Sequence, residues 1–229
     1  MSPSTASRII ARAGLPRLHE LDPVTGILIR ASRRTQLRYE HDHPGDLLHV
    51  DVKKIGRIPD GGGWRIDGPD VVDHNRGRVK SAKLGMDFLH VAVDDHSRIA
   101  FVRVFPDEKG ATCASFLLEA AEFFASLGVT IRRVMTDNAL NYRNSRDFQA
   151  ALQLIDAKHI TTRPYSPWQN GKAERFNRTL QDGWAYRRAF TSNQERLEAL
   201  QPWVEHYNYA RPHTACGGLP PISRVSPTC

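Results

Sequence analysis

The sequence predicts an α/β fold in which a central mixed sheet of about five strands is flanked by helices. Residues 46–55 alternate apolar and polar side chains, which is the pattern of a strand with one buried face. Residues 84–106 predict two strands that reverse at a turn-forming cluster, 95–98. From residue 111 onward, segments with helical periodicity alternate with short apolar strands. Strands in hairpin order, followed by strands separated by helices, give a sheet with antiparallel and parallel neighbours. A chain of 229 residues is long enough to bury the core of such a fold.

The first 45 residues differ in composition from the rest of the chain. Residues 4–14 predict a short helix, with serine and threonine available as caps, apolar residues at helical spacing and Gly14 at the end. Residues 15–45 are rich in proline, arginine and polar residues and predict a basic linker. The predicted domains are a helical segment at 1–14, the linker at 15–45, a core at 46–210 and a C-terminal tail containing proline and glycine at 211–229.

The core begins with a strand that carries an acid. In residues 46–55, Leu48, Val50 and Val52 alternate with polar residues, so we expect Asp51 on the polar side of this strand. The segments that follow are bounded by turn or helix-stop residues. They are a glycine-rich loop at 56–83, two strands within 84–106 that reverse at 95–98, a helix at 111–128, a strand at 131–139, a helix at 145–156, a strand at 158–164, a helix at 169–188 and a helix at about 193–209.

The formal net charge of +7 favours polyanionic partners, because lysine and arginine release condensed counterions when they bind phosphate. Basic residues are dense in 8–38, 76–83 and 172–188; on charge alone, a soluble basic protein is the alternative. No run of eighteen apolar residues occurs and the N-terminus lacks the pattern of a signal peptide, which predicts a cytosolic protein with no membrane partner. The three cysteines form no CxxC pair and indicate neither a disulfide framework nor a zinc site.

Three acids occupy the ends or polar faces of separate elements. Asp51 lies in the first strand, Asp137 stands where a strand ends, and Glu174 lies one turn into the helix at 169–188. The apolar stripe that places Glu174 outside the core consists of Ala173, Phe176, Leu180 and Trp184. Because active residues of α/β sheets gather at the carboxyl ends of the strands, we expect these acids to converge. Carboxylates suit Mg²⁺ or Mn²⁺, and two such ions roughly 3.5–4 Å apart can hold the attacking and leaving oxygens of a phosphodiester.

Each of these polar residues also has a structural interpretation. An aspartate at a strand end, such as Asp137, often caps a turn or a helix. We assign Asp94 and Asp95 mainly to the turn between two strands, and Asp87 to a solvent-facing or structural role. His49 is either a metal ligand or a strand neighbour with satisfied hydrogen bonds, and the second is the commoner case.

Three stretches together resemble the integrase-type catalytic domain of insertion-sequence transposases, which is related to retroviral integrases. They are LLHVDVKKIGRIPDGGGWR, VMTDNALNYR and RPYSPWQNGKAERFNRTLQDGWAY. The resemblance runs from about residue 38 to 224, and the ending YNYARPHTACGGLPPISRV is also similar to that of the family. It implies a ribonuclease-H-like fold for residues 46–210.

Carried over by position, Asp51, Asp137 and Glu174 match the metal-binding DDE triad, and thirty-six residues separate the second from the third, close to the family's usual spacing. The resemblance implies a DNA transposase that uses Mg²⁺ or Mn²⁺ and no small-molecule cofactor. Activated water nicks the transposon end, and the freed 3′-OH attacks target DNA without a covalent enzyme intermediate. It further implies a homo-oligomer on DNA and a prokaryotic cytoplasm with the nucleoid as location. The residues expected to position DNA or the acids are Lys53, Asn138, Asn170, Lys172, Arg175 and Arg178.

Two departures from the family pattern shape the alternatives. Ala139 stands where the family usually has glycine, which would cost on the order of 1 kcal/mol or more and displace the site if φ were positive. Residues 1–14 resemble only the last recognition helix of the family's helix-turn-helix region, so we interpret the chain as N-terminally truncated and poor at reading sequence. The second hypothesis is therefore an inactive or regulatory DNA-binding remnant, and the third is a ribonuclease-H-like nuclease acting on hybrids or junctions.

Overall fold

A computed structural model describes residues 3–14, 40–68, 84–162 and 167–225. Most of the predicted linker and residues 69–83 of the predicted glycine-rich loop lie outside the described residues. The chain divides into two compact units, Met1–Tyr39 and Glu40–Cys229. The described part of the first unit is helix α1, Pro3–Arg12, which confirms the predicted short helix.

The second unit starts earlier than the predicted core. Residues 40–45, assigned to the linker from their composition, belong to this unit. The His41 amide donates to Asp95 Oδ2 at 2.7 Å, and the Gly45 amide donates to Asp94 Oδ1 at 2.8 Å. These bonds tie the entrance of the unit to the turn between two strands of the sheet.

The sheet has five strands in the order β3-β2-β1-β4-β5. Their bounds are β1 Leu48–Gly56, β2 Met86–Asp94, β3 Ala100–Phe105, β4 Arg133–Thr136 and β5 Lys158–Thr161. The pairs β1–β2 and β2–β3 are antiparallel, whereas β1–β4 and β4–β5 are parallel. The predicted mixed sheet of five strands is confirmed.

Helices follow the strands in the predicted order, with two differences. Their bounds are α2 Trp64–Asp67, α3 Gly110–Ser126, α4 Leu140–Arg143, α5 Arg146–Leu154, α6 Gly171–Leu180, α7 Asn193–Glu198 and α8 Leu200–Tyr209. The short helices α2 and α4 have no counterpart among the predictions. The single helix predicted at 193–209 is wrong, because it is broken at Ala199 into α7 and α8. The break lets Arg196 of α7 reach Asp87 while Leu200 of α8 faces an apolar core.

The helix predicted at 169–188 has three parts. It opens with a 3₁₀ turn at Pro167–Asn170, continues as α6 and closes with a π-helical turn at Gln181–Ala185. Within that last turn a Cβ on Gly183 would come within 2.9 Å of Trp203 Nε1, so glycine allows the indole of α8 to pack there. Across the described ranges no helix is both long enough and apolar enough to span a membrane.

Both faces of the sheet are covered by apolar cores. One core joins Leu48 and Val50 of β1 to Phe116 of α3 and Phe148 of α5. The other joins Val91 and Val93 of β2 to Phe176 and Leu180 of α6 and to Val204 of α8. The faces are set by the period of two along each strand, so alternate residues of β1 point to opposite cores. Helix α6 is thereby fixed on the face toward which the polar side of β1 points.

Candidate active site

Asp51 lies in the middle of β1 and faces helix α6. It stands opposite Val91 of β2, and directly opposed residues of an antiparallel pair share a face. Val91 belongs to the core beneath α6, so Asp51 points to the same side. Asn177 of α6 donates from Nδ2 to Asp51 Oδ2 at 2.7 Å. Strand β1 therefore presents a half-buried carboxylate that one side chain of α6 already holds in place.

Asp137 follows β4 directly and is exposed. Its Oδ1 accepts the backbone N–H of Ala139 at 2.9 Å, so the turn-capping interpretation holds for one of its oxygens. Next to it, Asn138 donates from Nδ2 to the carbonyl of Thr162 at 2.6 Å, which fixes this turn to the end of β5. Parallel pairing of β1, β4 and β5 brings the turn to the same end of the sheet as the site.

The expectation of strain at Ala139 is wrong. Its φ is −63° and its ψ is 143°, an extended conformation that any residue adopts at a helix N-cap. The left-handed conformation that would favour glycine is absent at this position, so alanine costs nothing there in backbone energy. The backbone at Ala139 therefore gives no reason for Asp137 to be displaced.

Glu174 is exposed in the first turn of α6. The residues of the predicted apolar stripe around it, namely Ala173, Phe176, Leu180 and Trp184, are buried, as the helical period required. Glu174 therefore points away from the core, on a helix whose other faces are fixed by packing. An acid in the first turn is also favourable, because the helix N-terminus carries partial positive charge.

The charges of Asp137 and Glu174 act on Asp51. Burial, together with these two charges, raises the pKa of Asp51 to about 6, against a lowering hydrogen bond from Val52. Among the described residues, however, no group of three or more His, Cys, Asp or Glu side chains is gathered closely enough to hold a metal ion as it stands. The donor set is three carboxylates, which suits a hard divalent cation that would relieve their mutual repulsion.

A buried polar network lies beside Asp51. His49 Nε2 lies 2.9 Å from Asp95 Oδ1, and His49 Nδ1 lies 3.0 Å from Asn170 Oδ1. Lys172 Nζ also binds Asp95 Oδ1. Burial would raise the pKa of Asp95, but the hydrogen bonds from His49, Lys172 and the His41 amide outweigh it, and the pKa lies well below its usual range. Asp95 is therefore a fully buried carboxylate that its partners keep charged.

Of the other acids, Asp94 and Asp87 have the structural roles predicted for them, whereas Asp95 does not. Asp94 does hold the turn, because its Oδ2 accepts from the backbone N–H and the hydroxyl of Ser97 at 2.6 and 2.7 Å. The turn role was wrong for the side chain of Asp95, which binds the network instead. Asp87 is buried between Arg57 and Arg196, a structural role. His49 is a satisfied strand neighbour, as the commoner case predicts.

The residues predicted to position DNA or the acids fall into two groups. Arg175 and Arg178 of α6 are exposed and Lys53 of β1 is half-buried. The other three are engaged within the protein, through Asn138 with Thr162, Asn170 with His49 and Lys172 with Asp95. Asn170 is only 5% exposed, and its side chain bonds to His49 and to the carbonyl of Val50. Sequence reasoning assigned no role to Asn177 and only a turn role to Asp95. The position of Asn177 one turn after Glu174 was the available signal.

Comparisons with known proteins identify the family to which the chain is similar. Two family models, both described as "Integrase core domain", match residues 41–167 and 155–221. The chain is 33% identical over 158 residues to the "Insertion element IS476 uncharacterized 39.2 kDa protein" of Xanthomonas euvesicatoria, covering 69% of this chain and 42% of that protein. It is 30% identical over 108 residues to the "Insertion element IS136 uncharacterized protein Atu4601" of Agrobacterium fabrum, covering 46% of this chain and 55% of that protein. The chain thus spans about half the length of these relatives.

Solved structures with the same fold come from retroviruses. The HTLV-2 integrase catalytic core domain in complex with magnesium aligns with a TM-score of 0.55 and 19% identity, over 80% of this chain and 98% of that chain. A simian T-cell lymphotropic virus intasome in complex with PP2A regulatory subunit B56 gamma aligns with a TM-score of 0.59 and 21% identity, over 82% of this chain and 57% of that chain. At these identities the likeness confirms the ribonuclease-H-like fold.

Replacement of Asp51 by asparagine should make the stability of the metal-free protein less dependent on pH. The folded-state pKa of Asp51 is raised from 3.8 to about 6, so the wild type loses stability as the pH rises through that window. We expect metal-free Asp51→Asn to match the wild type near pH 4 and to exceed its unfolding free energy by about 1–2 kcal/mol near pH 7.5, a value discounted for partial exposure. Urea denaturation in chelator measures both values. A difference between the two proteins that does not change with pH contradicts the assignment.

Proposed function

The chain belongs to the integrase core domain family, and we propose that it is the catalytic domain of an insertion-sequence transposase that cuts and joins DNA strands by metal-dependent phosphoryl transfer. The observation that supports this most is that burial and the charges of Asp137 and Glu174, which come from two other elements, raise the pKa of Asp51 to about 6. A carboxylate held at this electrostatic cost needs a reason, and binding of divalent metal supplies one. No described contact favours a DNA-binding remnant without chemistry over this function.

The three carboxylates are the proposed ligands of Mg²⁺ or Mn²⁺, with two ions as the expected number. When bound, these ions would stabilise the charge that develops on the phosphodiester oxygens. Asn177 donates to Oδ2 of Asp51, and the backbone N–H of Val52 also bonds this carboxylate. Asp137 accepts the Ala139 amide at Oδ1, which holds the orientation of its exposed carboxylate. Residues of the chain thus orient two of the three acids before any ion arrives.

DNA is the proposed substrate, as transposon ends and as target. Arg175 and Arg178 are exposed on α6, one and four residues after Glu174, so both can meet phosphates near the reacting bond. Lys53 lies on the strand of Asp51 and adds a third cation. The net charge of +7 supports the same partner. A homo-oligomer on DNA, because two transposon ends must be held together, and a location with the bacterial nucleoid complete the proposal.

Replacement of Glu174 by glutamine should abolish the chemistry without harming the fold. The side chain is exposed, so the loss of its charge leaves packing unchanged, while one metal ligand is weakened. We expect nicking of a labelled transposon-end duplex and strand transfer with Mg²⁺ to fall by about a hundredfold or more. Glu198→Gln, at an exposed acid of α7, is the matched control and should keep full activity. If the wild type is no more active than Glu174→Gln, the enzymatic function is wrong and a DNA-binding remnant is supported.

Replacement of Arg175 or Arg178 by glutamine should weaken DNA binding in a salt-dependent way. Each arginine that contacts a phosphate releases about one counterion, so each variant should lower the slope of log affinity against log salt by about 1. Fluorescence anisotropy with a labelled duplex over a series of salt concentrations measures that slope. Arg132→Gln is the control, because Arg132 is exposed just before β4, at the end of that strand opposite Asp137. Equal slopes for wild type and both α6 variants would show that these arginines do not contact DNA phosphates.

A further inference from the structure

The buried network beside the candidate site joins three elements that are distant in the sequence. His49 belongs to β1, Asp95 follows β2, and Asn170 and Lys172 stand at the start of α6. All three hydrogen-bonded pairs of the network join side chains that are 46 or more residues apart in the chain. The network therefore links the helix of Glu174 to the strand of Asp51.

Asn170 shows that this link replaces ordinary helix capping. It occupies the N-cap of α6, where an asparagine usually accepts a hydrogen bond from an amide of the first turn. Here its side chain makes no such bond. Its Oδ1 instead faces His49 Nδ1 at 3.0 Å, and its Nδ2 donates to the carbonyl of Val50 at 3.3 Å. Both polar atoms of the Asn170 side chain therefore bond to residues of β1, immediately beside Asp51.

Lys172 gives a second, independent indication that the start of α6 is held against the sheet. A cation in the first turn of a helix is unfavourable, because the exposed N–H groups there already carry partial positive charge. Lys172 nevertheless occupies this turn and binds Asp95, whose exposed fraction is zero. Asp95 also binds His49 and the His41 amide. The buried anion thus compensates a lysine that helix energetics alone would disfavour, and it draws the start of α6 toward the sheet.

We infer that His49, Asp95, Asn170 and Lys172 form a positioning network that sets the first turn of α6 on β1 and thereby the approach of Glu174 to Asp51. The network bonds α6 one turn before Glu174, through Asn170, and Asn177 bonds it one turn after. Glu174 lies between these two attachments. This role for Lys172 is alternative to its predicted contact with DNA, and it rests on the proposed function only for its effect on metal binding.

The test compares Lys172→Met and Asp95→Asn with a buried ion pair elsewhere. Lys172→Met removes the charge and leaves an unbranched side chain that is one atom shorter. Lys172→Arg is the conservative variant expected to restore the wild-type behaviour. Asp87→Asn is the matched control. Asp87 lies near the start of β2, away from Asp95, and pairs with buried Arg196 of α7. Each protein is studied without DNA, by hydrogen–deuterium exchange and by calorimetric titration with Mn²⁺.

In Lys172→Met and Asp95→Asn, amides of the first turn of α6 should exchange about tenfold faster or more, while α3 keeps its protection. The affinity for Mn²⁺ should fall by about tenfold, as expected when a group that orients a metal ligand is lost. Asp87→Asn should show neither local effect. Unchanged or uniformly changed exchange overturns the inference. If the wild type binds no Mn²⁺, the proposed function fails, and the exchange data still decide the positioning role.

Discussion

The seating of helix α6 on strand β1 is the contact on which the candidate site depends. Phe176 and Leu180 bury the apolar side of the helix in the core against β2 and α8. Polar bonds from Asn170 to His49 and from Asn177 to Asp51 then fix where the helix lies along the strand. Apolar packing is non-directional and would tolerate small shifts, whereas hydrogen bonds specify one position. The position of the exposed Glu174 is therefore set by the position of the helix and not by contacts of its own side chain to the core.

The charges of the site are divided between a buried layer and an open one. In the buried layer Asp95 is compensated by Lys172 and by hydrogen bonds from His49, which makes burial of a carboxylate tolerable. In the open layer the repulsion felt by Asp51 from Asp137 and Glu174 is left for a cation to relieve. Under the proposed function, the exposed basic residues of α6 would bind phosphate, while the three acids would bind metal.

Much of this arrangement could be predicted from the sequence because local rules determine it. The period of two placed Asp51 on the polar face of β1, and the helical stripe placed Glu174 outside the core. The break at Ala199 was missed although Pro202 signals it, because proline is tolerated in the first turn of a helix but not in the interior of one continuous helix. The role of Asp95 was missed because its partner Lys172 lies 77 residues away along the chain. Ala139 was misjudged because the residue type usual in a family does not fix φ at one position.

Asp51, Asp137 and Glu174 are proposed to bind the same divalent metal. The most direct test of this proposal is a crystal structure of the protein grown with Mn²⁺, in which anomalous scattering locates each ion. The account predicts Mn²⁺ between these three carboxylates, at the oxygen distances of about 2.0–2.2 Å typical of a small divalent ion. Mn²⁺ bound elsewhere, or three carboxylates that stay apart in saturating Mn²⁺, would contradict it.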